Sequence, residues 1–212
     1  MGVVSLPAAR RARSSPRRRA PEMIEAAARV FAERGFHGAT TQDIADVLGI
    51  RQASLYYYFP SKEGALELVC LQGVGDFVEV AKTIAKGPGT AAGKLARLIQ
   101  SHLSPLIDRS DFVRVFLNER QHLPLESRRR IGKWSRDLER LLEDVFKEGV
   151  RRGEFRSGLD TRLAVLALLG MLNAVAHWYP KEDVPIGRIS DEFLKMLLAG
   201  VTKKPSPRKK ER

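Results

Sequence analysis

The sequence predicts an all-α protein of about nine helices, and three observations favour this fold class. The composition is that of an ordinary soluble chain, with 43% hydrophobic and 7% aromatic residues. Apolar residues recur every three to four positions over most of the length, which is the period of one face of an α-helix. Glycine or proline ends these stretches, for example at Gly35, Gly49, Pro60 and Gly153.

The chain length, the cysteine count and the length of the apolar runs narrow the class of protein further. The length of 212 residues permits one large domain or two small ones. The single cysteine, Cys70, excludes a disulfide framework within the chain and is typical of a reducing compartment. No apolar run reaches the roughly 20 residues that span a bilayer. The best candidate, Ala164 to Ala176, is too short and contains Asn173, so no membrane partner is expected.

The net charge of +12 is concentrated at the two ends of the chain. Residues 1–20 contain six arginines and no acid, residues 203–212 contain six basic residues and one acid, and the body between them is nearly neutral. We predict that both ends are disordered basic segments attracted to polyanions. A transit peptide or twin-arginine signal is the alternative for residues 1–20, but Glu22 and Glu25 follow where a signal peptide needs an apolar region.

The segment after the basic arm predicts two helices with recognisable ends. The first begins at Pro21, whose missing N–H costs nothing in a first turn, and Gly35 stops it. Its apolar face consists of residues at helical spacing: Ile24, Ala27, Ala28 and Phe31. The second helix starts with a capping-box-like pair, Thr40 and Asp43, and Gly49 makes the turn that follows it.

The third helix is predicted from about Arg51 to Tyr58. Leu55 and Phe59 share one side and face the core, and the opposite side points outward with residues Ala53, Tyr56 and Tyr57. Pro60 ends the helix, because the residue before a proline disfavours helical geometry, and Ser61 caps the next one. Two short helices separated by a tight turn, the second rich in tyrosine and nearly uncharged, suit insertion into a DNA major groove.

Residues from Met23 to about Leu68 resemble the DNA-binding domain of the tetracycline-repressor (TetR/AcrR) family of bacterial regulators. The motifs that carry the resemblance are Ala27-x-x-x-Phe31-x-x-x-Gly35-Phe36, Thr40-Thr41-x-x-x-Ile44-Ala45, Gly49-Ile50 and Ser54-Leu55-Tyr56-x-Tyr58-Phe59-x-Ser61-Lys62-Glu63-x-x-Leu66. The chain departs from the family at Arg51, where Ser or Thr is common, and at Ala53, where Gly is common. Because arginine cannot accept hydrogen bonds from a helix N-terminus, Arg51 is expected to contact a base or a phosphate instead.

The resemblance implies a set of DNA-contacting residues. Base-reading positions are Thr41, Gln42, Gln52, Ala53 and Tyr57, and phosphate anchors are Thr40, Tyr56, Tyr58 and Lys62; Arg51 and Ser54 belong to the same surface. The chemistry is compatible with these roles, because glutamine pairs with adenine, small methyl groups contact thymine, and hydroxyls and lysine bind phosphate. The alternative is that the tyrosines form a rim around a small core, and for Tyr58 both interpretations have equal weight.

The remaining chain divides into a linker helix and a larger helical domain. We predict a DNA-binding domain over residues 21–65, a ligand-binding and dimerisation domain over 66–202, and a basic tail over 203–212. Further helices are predicted over about 61–85, 90–107 with a kink at Pro105, 111–121, 126–152, 160–178 and 188–201, with a Gly-Pro-Gly loop at 87–89.

The last two helices are predicted to form a dimer interface. The helix that opens at Leu159-Asp160 is apolar almost all round, as expected of a helix buried on two sides. In the TetR family the last two helices typically pair with those of a second subunit. The candidate interface residues are Leu163, Ala167, Gly170, Met171, Ala174, Trp178, Ile189, Phe193 and Leu197.

The resemblance also implies a small-molecule pocket among the helices between Leu66 and Trp178. The candidate lining residues are Phe112, Phe116, Asn118, His122, Trp134, Leu138 and Trp178. Ordinary core packing is the alternative for each, since an apolar stripe needs no ligand. The segment Trp178-Tyr179-Pro180 resembles relatives that sense acyl-coenzyme A esters or other hydrophobic metabolites, so the expected effector is a molecule of that kind.

Signals for catalysis are weak in this chain. Glycine-rich nucleotide loops are missing, and four histidines lack the spacing of metal ligands: His37, His102, His122 and His177. We therefore expect no metal, no cofactor and no enzyme. The sequence predicts a homodimeric, cytoplasmic, nucleoid-associated repressor that binds a pseudo-palindromic operator and is released by a small hydrophobic effector. Activation instead of repression, and a nonspecific nucleic-acid-coating protein acting through its basic tails, are the alternatives.

Overall fold

The computed structural model describes residues 16–202, apart from the side chains of residues 16–18, 74 and 76. Within this range the chain is helical and forms no strand, so the predicted fold class is confirmed. The helices are α1 (Pro16–Gly38), α2 (Thr41–Leu48), α3 (Gln52–Leu55), α4 (Lys62–Lys86), α5 (Ala91–Leu103), α6 (Pro105–Asp108), α7 (Ser110–Glu119), α8 (Leu125–Arg151), α9 (Thr161–Trp178) and α10 (Ile186–Val201). Single 3₁₀ turns follow α7 and α9, at Arg120–His122 and Tyr179–Lys181.

The first helix differs from its prediction at both ends. It begins at Pro16, so residues 16–20 belong to α1 and not to a disordered arm. The arginines and the alanine of this stretch are good helix formers, and they extend the helix through Pro21, which lies inside it. Gly35 produces a kink instead of a stop, because it has a φ of 67° and the helix resumes up to Gly38. The other predicted arm residues, 1–15 and 203–212, lie outside the described part of the chain.

The local signals around the turn between α2 and α3 are confirmed. The Thr40 hydroxyl accepts from the Asp43 N–H, and the Asp43 carboxylate accepts from the Thr40 N–H, which completes the capping box. Gly49 has the left-handed conformation with φ 62°, as a tight turn requires. The α3 helix is shorter than predicted, with only four helical residues, and its first residue follows Arg51, whose side chain makes no capping hydrogen bond.

Two apolar cores hold the described helices together. The first contains α1–α3 and the start of α4, and it also takes in residues from the larger domain, namely Phe112, Val115, Leu123 and Ile131. The second is built by α5, α8, α9 and α10. The predicted kink at Pro105 is a helix break, because α5 ends at Leu103 and α6 starts at the proline.

The long helix α4 connects these cores. Its N-terminal half buries Leu66, Val69 and Cys70 in the first core, and its later residue Ala81 packs in the second. Burial raises the pKa of the Cys70 thiol to about 12. Cys70 is therefore an inert, buried small side chain, as the sequence predicts.

Candidate DNA-binding surface, effector cavity and subunit surface

The N-terminal ends of α2 and α3 lie side by side. The Gln52 amide donates to the Thr41 hydroxyl at 2.7 Å, so two predicted base-reading residues from different helices contact each other. The neighbours of Gln52 in the chain, Arg51, Ala53 and Ser54, are exposed. The α3 helix therefore offers an unobstructed polar end, which is the part of a helix-turn-helix that contacts base edges.

The three tyrosines differ in exposure. The Tyr57 side chain is 75% exposed and that of Tyr56 is 52% exposed, so both hydroxyls are available to another molecule. Tyr58 is half-buried, packs against the first core and meets the Tyr57 ring edge-on at 5.4 Å between centroids. Tyr58 thus supports the position of Tyr57, in line with the rim interpretation, while Tyr56 and Tyr57 face solvent.

Two predicted phosphate anchors, Thr40 and Lys62, form hydrogen bonds within the protein. The Thr40 hydroxyl donates to the Asp43 carboxylate at 2.7 Å, which leaves it no hydrogen for a phosphate. The Lys62 ammonium donates to the carbonyl oxygens of Phe36 and Ala39, at 2.9 and 3.0 Å, and lies 4.4 Å from the centroid of the Phe36 ring. Only one of its three hydrogens is left over, so Lys62 holds the end of α1 against α4.

Acidic groups on α2 fix the polar side chains of this surface. The pKa of the Asp43 carboxyl is lowered, mainly by its hydrogen bonds to Thr40 and also by the nearby Arg34 guanidinium, which lies 2.6 Å away. Gln42 donates its amide to Asp46 at 2.6 Å. Gln42 is exposed, and a base edge must replace this internal hydrogen bond when it binds.

An internal cavity of about 140 Å³ lies between α4, α5, α7, α8 and α9. Its wall includes two residues predicted from sequence, Phe116 and Leu138, together with Phe77, Leu117 and Leu169. A neighbouring cavity of about 170 Å³ has a third predicted residue, Phe112, in its wall. The two cavities are adjacent compartments because they share four wall residues: Gly73, Phe77, Pro105 and Val113.

A polar pair interrupts the apolar wall of the first cavity. The His102 ring nitrogen Nε2 and the Asn173 amide oxygen are 3.1 Å apart. Burial lowers the pKa of the His102 imidazole to about 4, so this histidine is neutral at physiological pH. The Phe77 ring packs edge-on against it at 4.9 Å. The pair gives the cavity a hydrogen-bonding point within an apolar enclosure, which is the usual composition of a small-molecule site.

Four of the predicted pocket residues do not line these two cavities. Asn118 is exposed, and His122 stacks on the Phe36 ring of the DNA-binding domain at 5.5 Å. The Trp134 ring lies against the backbone of Gly75, and Trp178 packs on the second core. The rings of His122, Trp134 and Trp178 instead pack against other elements of the protein.

The sequence also contained an unused signal for the cavity. His102 lies on an otherwise apolar stripe of α5, and Asn173 lies within the apolar run of α9. A polar residue inside an apolar stripe needs a partner or a ligand when it is buried. Gly73 and Phe77 of α4 also line the cavity, but nothing in the sequence indicated this. Their place in the wall depends on the helices that pack around α4.

Helix α7 joins the cavity to the DNA-binding domain. Its Glu119 carboxylate accepts from the backbone N–H of Phe36 at 2.8 Å, and Arg114 donates to the carbonyl of Ala32 at 3.1 Å. Both bonds reach the last turns of α1. The same helix contributes Phe116 and Leu117 to the cavity wall. The ten-residue helix α7 therefore contacts both the cavity and α1, the helix that packs against α2.

The outer face of α9 is apolar and uncovered within the protomer. Leu163 is 61% exposed and Leu166 45%, and three small residues continue the stripe: Ala167, Gly170 and Ala174. On α10 the large exposed hydrophobic residue is Met196, at 61%. By length and composition, the segment Thr161–Lys181 is also apolar enough to cross a membrane, and a third of its most apolar window is buried in the protomer.

The predicted interface residues differ in how far they are exposed in the protomer. The exposed ones are Leu163, Ala167, Gly170 and Ala174, and the partly buried ones are Met171, Trp178 and Phe193. Ile189 and Leu197 are 5% and 8% exposed because they pack in the protomer's own core, so they offer little surface to a second subunit. The apolar face of α10 that packs against α5 is thus buried within the protomer. Met196 lies on the solvent-exposed face of α10.

An exposed helix-turn-helix joined to a helical domain with an internal cavity defines a DNA-binding regulator that responds to a ligand. Two family models agree with this class: residues 23–69 match "Bacterial regulatory proteins, tetR family", and residues 88–201 match "Tetracyclin repressor-like, C-terminal domain". The chain belongs to the TetR family of bacterial transcriptional regulators. Among the described residues no group of three His, Cys, Asp or Glu side chains could hold a metal ion.

Individual relatives cover nearly the whole chain. The fatty acid metabolism regulator protein of Bacillus subtilis (strain 168) is 30% identical over 185 residues, which are 86% of this chain and 95% of the relative. The ketosteroid transcriptional regulator KstR2 of Mycobacterium tuberculosis superposes with a TM-score of 0.82 at 26% identity, over 88% of this chain and 96% of that one. FadR from Bacillus subtilis in complex with stearoyl-CoA superposes with a TM-score of 0.71 at 30% identity, over 85% and 98%. The protein is a sequence-specific DNA-binding repressor.

Proposed function

We propose that this repressor reads its operator with Gln52 and Tyr57, and that Thr41, Gln42, Arg51, Ala53, Ser54 and Tyr56 complete the contact surface. The observation that carries this proposal is the direct contact between Gln52 and Thr41 beside the 75% exposed Tyr57. A dimer presents two such surfaces to successive major grooves, which matches a pseudo-palindromic site. It acts on chromosomal DNA in the bacterial cytoplasm.

A gel-shift titration with DNA selected from the source genome tests this assignment. Gln52→Ala and Tyr57→Ala are expected to weaken operator binding by about 1–3 kcal/mol each and to change the preferred sequence. Gln100→Ala is the matched control, because Gln100 is an exposed glutamine on α5 and outside the helix-turn-helix. Unchanged affinity and sequence preference in the Gln52 and Tyr57 variants would show that other residues read the DNA.

The effector is proposed to be a molecule with a long apolar chain, bound in the cavity of α4, α5, α7, α8 and α9. The largely apolar wall supports this class of ligand, with the His102–Asn173 pair as a hydrogen-bonding point within it. So does the relative solved with stearoyl-CoA, which is similar over 85% of this chain. The effector must bind the state that releases DNA more tightly than the state that holds it, since equal affinity shifts nothing.

Occupation of the cavity is tested by filling it. Leu138→Trp places an indole inside the wall, and it is expected to prevent palmitoyl-coenzyme A from releasing the operator while DNA binding itself continues. Leu125→Trp is the control on the same helix, because Leu125 is 53% exposed and lies outside the cavity. Equal release of the wild type and the Leu138 variant would place the effector elsewhere.

A further inference from the structure

A basic groove adjoins the apolar cavity on the outside of the protein. It has a volume of about 410 Å³ and lies between the turn after α7 and the first half of α8. Its wall is formed by Arg120, Gln121, Leu123, Arg128, Ile131, Gly132, Ser135, Arg136 and Glu139. Arg120, Ser135 and Glu139 also belong to the wall of the apolar cavity, so the two spaces meet at these residues.

The arginines of this groove lack the carboxylate partners that neighbouring arginines have. Within the described residues, no ion pair forms at Arg128 or Arg136, and the Arg120 guanidinium stacks on the Phe116 ring at 4.7 Å. Three other arginines of α8 are each paired: Arg129 with Glu126, Arg130 with Glu67, and Arg140 with Asp137. Arg120, Arg128 and Arg136 thus bring three guanidinium groups without a carboxylate partner to one groove.

The one acid in the groove does not neutralise them. Glu139 lies 2.7 Å from Arg162 of α9, so its charge is already balanced. Three guanidinium groups then face the groove without a local counter-charge. Such an arrangement favours a ligand with several negative charges, since each guanidinium forms charge-assisted, often bidentate, hydrogen bonds to phosphate.

Helix geometry keeps the groove open. Residues 128, 132 and 136 are four positions apart and share one face of α8. The middle position is Gly132, where a Cβ atom would lie 3.2 Å from an Arg136 guanidinium nitrogen. A glycine here leaves room between the two arginines. Leu123 and Ile131 are buried beneath, so the floor is apolar and the charged groups stand at the rim.

We infer that this groove binds the phosphate-bearing head of the effector, while the acyl chain occupies the adjoining cavity. The inference rests on the proposed effector function and specifies the ligand class as an acyl thioester of a phosphorylated nucleotide carrier, as in coenzyme A. A free fatty acid carries one negative charge and leaves most of the guanidinium groups unused. Arg128 and Arg136 therefore determine specificity for the thioester over the free acid.

Calorimetric binding of palmitoyl-coenzyme A and of palmitate to the full chain tests this assignment. The double variant R128Q/R136Q is expected to raise the Kd for palmitoyl-coenzyme A roughly a hundredfold, about tenfold for each arginine, because a hydrogen bond to a charged group contributes about this much. The matched control is R129Q/R140Q, which removes the same charge from the same helix. It is expected to change that Kd less than about threefold, and neither variant is expected to alter palmitate binding.

The outcomes separate the groove from the effector function. If R128Q/R136Q and R129Q/R140Q weaken palmitoyl-coenzyme A equally, or if neither does, the groove is not the head site, even when the operator is still released. A wild type that binds palmitate as tightly as palmitoyl-coenzyme A overturns the inference in the same way. Binding of palmitoyl-coenzyme A that depends on Arg128 and Arg136 but does not release the operator supports the groove and refutes the effector function.

Discussion

Lys62 connects three parts of the DNA-binding domain. Its backbone belongs to the first turn of α4, and its ammonium donates to the carbonyls of Phe36 and Ala39 between α1 and α2. The carbonyl groups at the end of a helix have no intrahelical donors, so a lysine is a suitable partner for them. A residue that resembles a DNA contact in sequence thereby determines where α4 meets the helix-turn-helix.

Replacement of Lys62 is expected to lower stability more than its surface position suggests. Lys62→Met keeps the aliphatic stem but removes both hydrogen bonds, which we expect to reduce the free energy of unfolding by about 2–3 kcal/mol. Urea unfolding followed by circular dichroism measures this. Lys82→Met is the control on the same helix, because Lys82 forms only a surface pair with Glu79, worth less than about 1 kcal/mol. Equal losses in the two variants would contradict the structural role of Lys62.

His102 makes the stability of the protein depend on pH. Burial lowers its pKa from 6.5 to about 4. Between these values the unfolded chain takes up a proton and the folded chain does not, so the free energy of unfolding falls as the pH falls. We expect His102 to contribute a loss of roughly 2 kcal/mol between pH 7.5 and pH 5.

Urea unfolding of the wild type and His102→Gln at both pH values measures this contribution. The variant lacks the titrating ring, so its stability is expected to fall less over the same interval; all other groups titrate in both proteins. His177→Gln is the control, because His177 is exposed, and it is expected to behave like the wild type. A wild type and a His102 variant with the same pH dependence would show that this imidazole is not buried in the neutral form.

Which residues the sequence could reveal depends on how local their contacts are. The capping pair Thr40 and Asp43 is three positions apart, and it was predicted correctly. The His102–Asn173 pair joins residues 71 positions apart, and only the packing of α5 on α9 brings them together. Their polarity within apolar stripes indicated that they needed partners, but not which partners.

Besides α4, helix α7 offers a direct route from the cavity to the DNA-binding domain. It lines the cavity with Phe116 and Leu117 and holds α1 through Glu119 and Arg114. A shift of α7 on ligand binding therefore displaces α1 directly, in addition to any movement of α4. Coupling between two sites requires an element in contact with both, and α7 meets this condition.

Glu119→Ala is expected to weaken this connection. The variant leaves the Phe36 N–H without its partner, which we expect to reduce the free energy of unfolding by about 1–2 kcal/mol. It is also expected to reduce the factor by which palmitoyl-coenzyme A weakens operator binding, a factor that is typically about 5–150 in allosteric proteins. Operator titrations with and without the ligand measure this factor. Asn118→Ala is the control, because Asn118 is exposed on the same helix. A coupling factor unchanged in Glu119→Ala would place the route elsewhere, for example through α4 alone.

The ends of the helices could be predicted where a single residue starts or stops a helix through contacts with its near neighbours in the chain. Gly49 and Ser61 determined their turns, because a left-handed glycine and a capping serine act within a few residues. Pro21 was misleading, since a proline suits a first turn but the helix extends past it to Pro16. The start of α1 depends on helix propensity summed over residues 16–20, which is a weaker signal than one proline.

At the scale of the whole molecule, the uncovered apolar face of α9 requires a partner. A soluble monomer rarely leaves so continuous an apolar stripe in water. Small residues at Ala167, Gly170 and Ala174 permit close approach of a second helix, and a second copy of α9 presents the same stripe. Homodimerisation through this face also supplies the second DNA-binding domain that a pseudo-palindromic operator needs. The periodicity of the sequence indicated which apolar residues of α9 and α10 share a face, but not that Ile189 is buried within the protomer, because that burial depends on the packing of α10 against α5.

Leu163→Glu is expected to convert the dimer into a folded monomer. The side chain is 61% exposed in the protomer, so a carboxylate there leaves the fold intact, whereas burial against a second copy without a partner is costly. Sedimentation velocity is expected to show a monomer, and operator affinity is expected to fall because one half-site contact is lost. Ile107→Glu is the matched control, since Ile107 is 68% exposed on α6, away from α9 and α10. A Leu163 variant that sediments as a dimer, or an Ile107 variant that dissociates equally, would exclude the α9 face as the subunit interface.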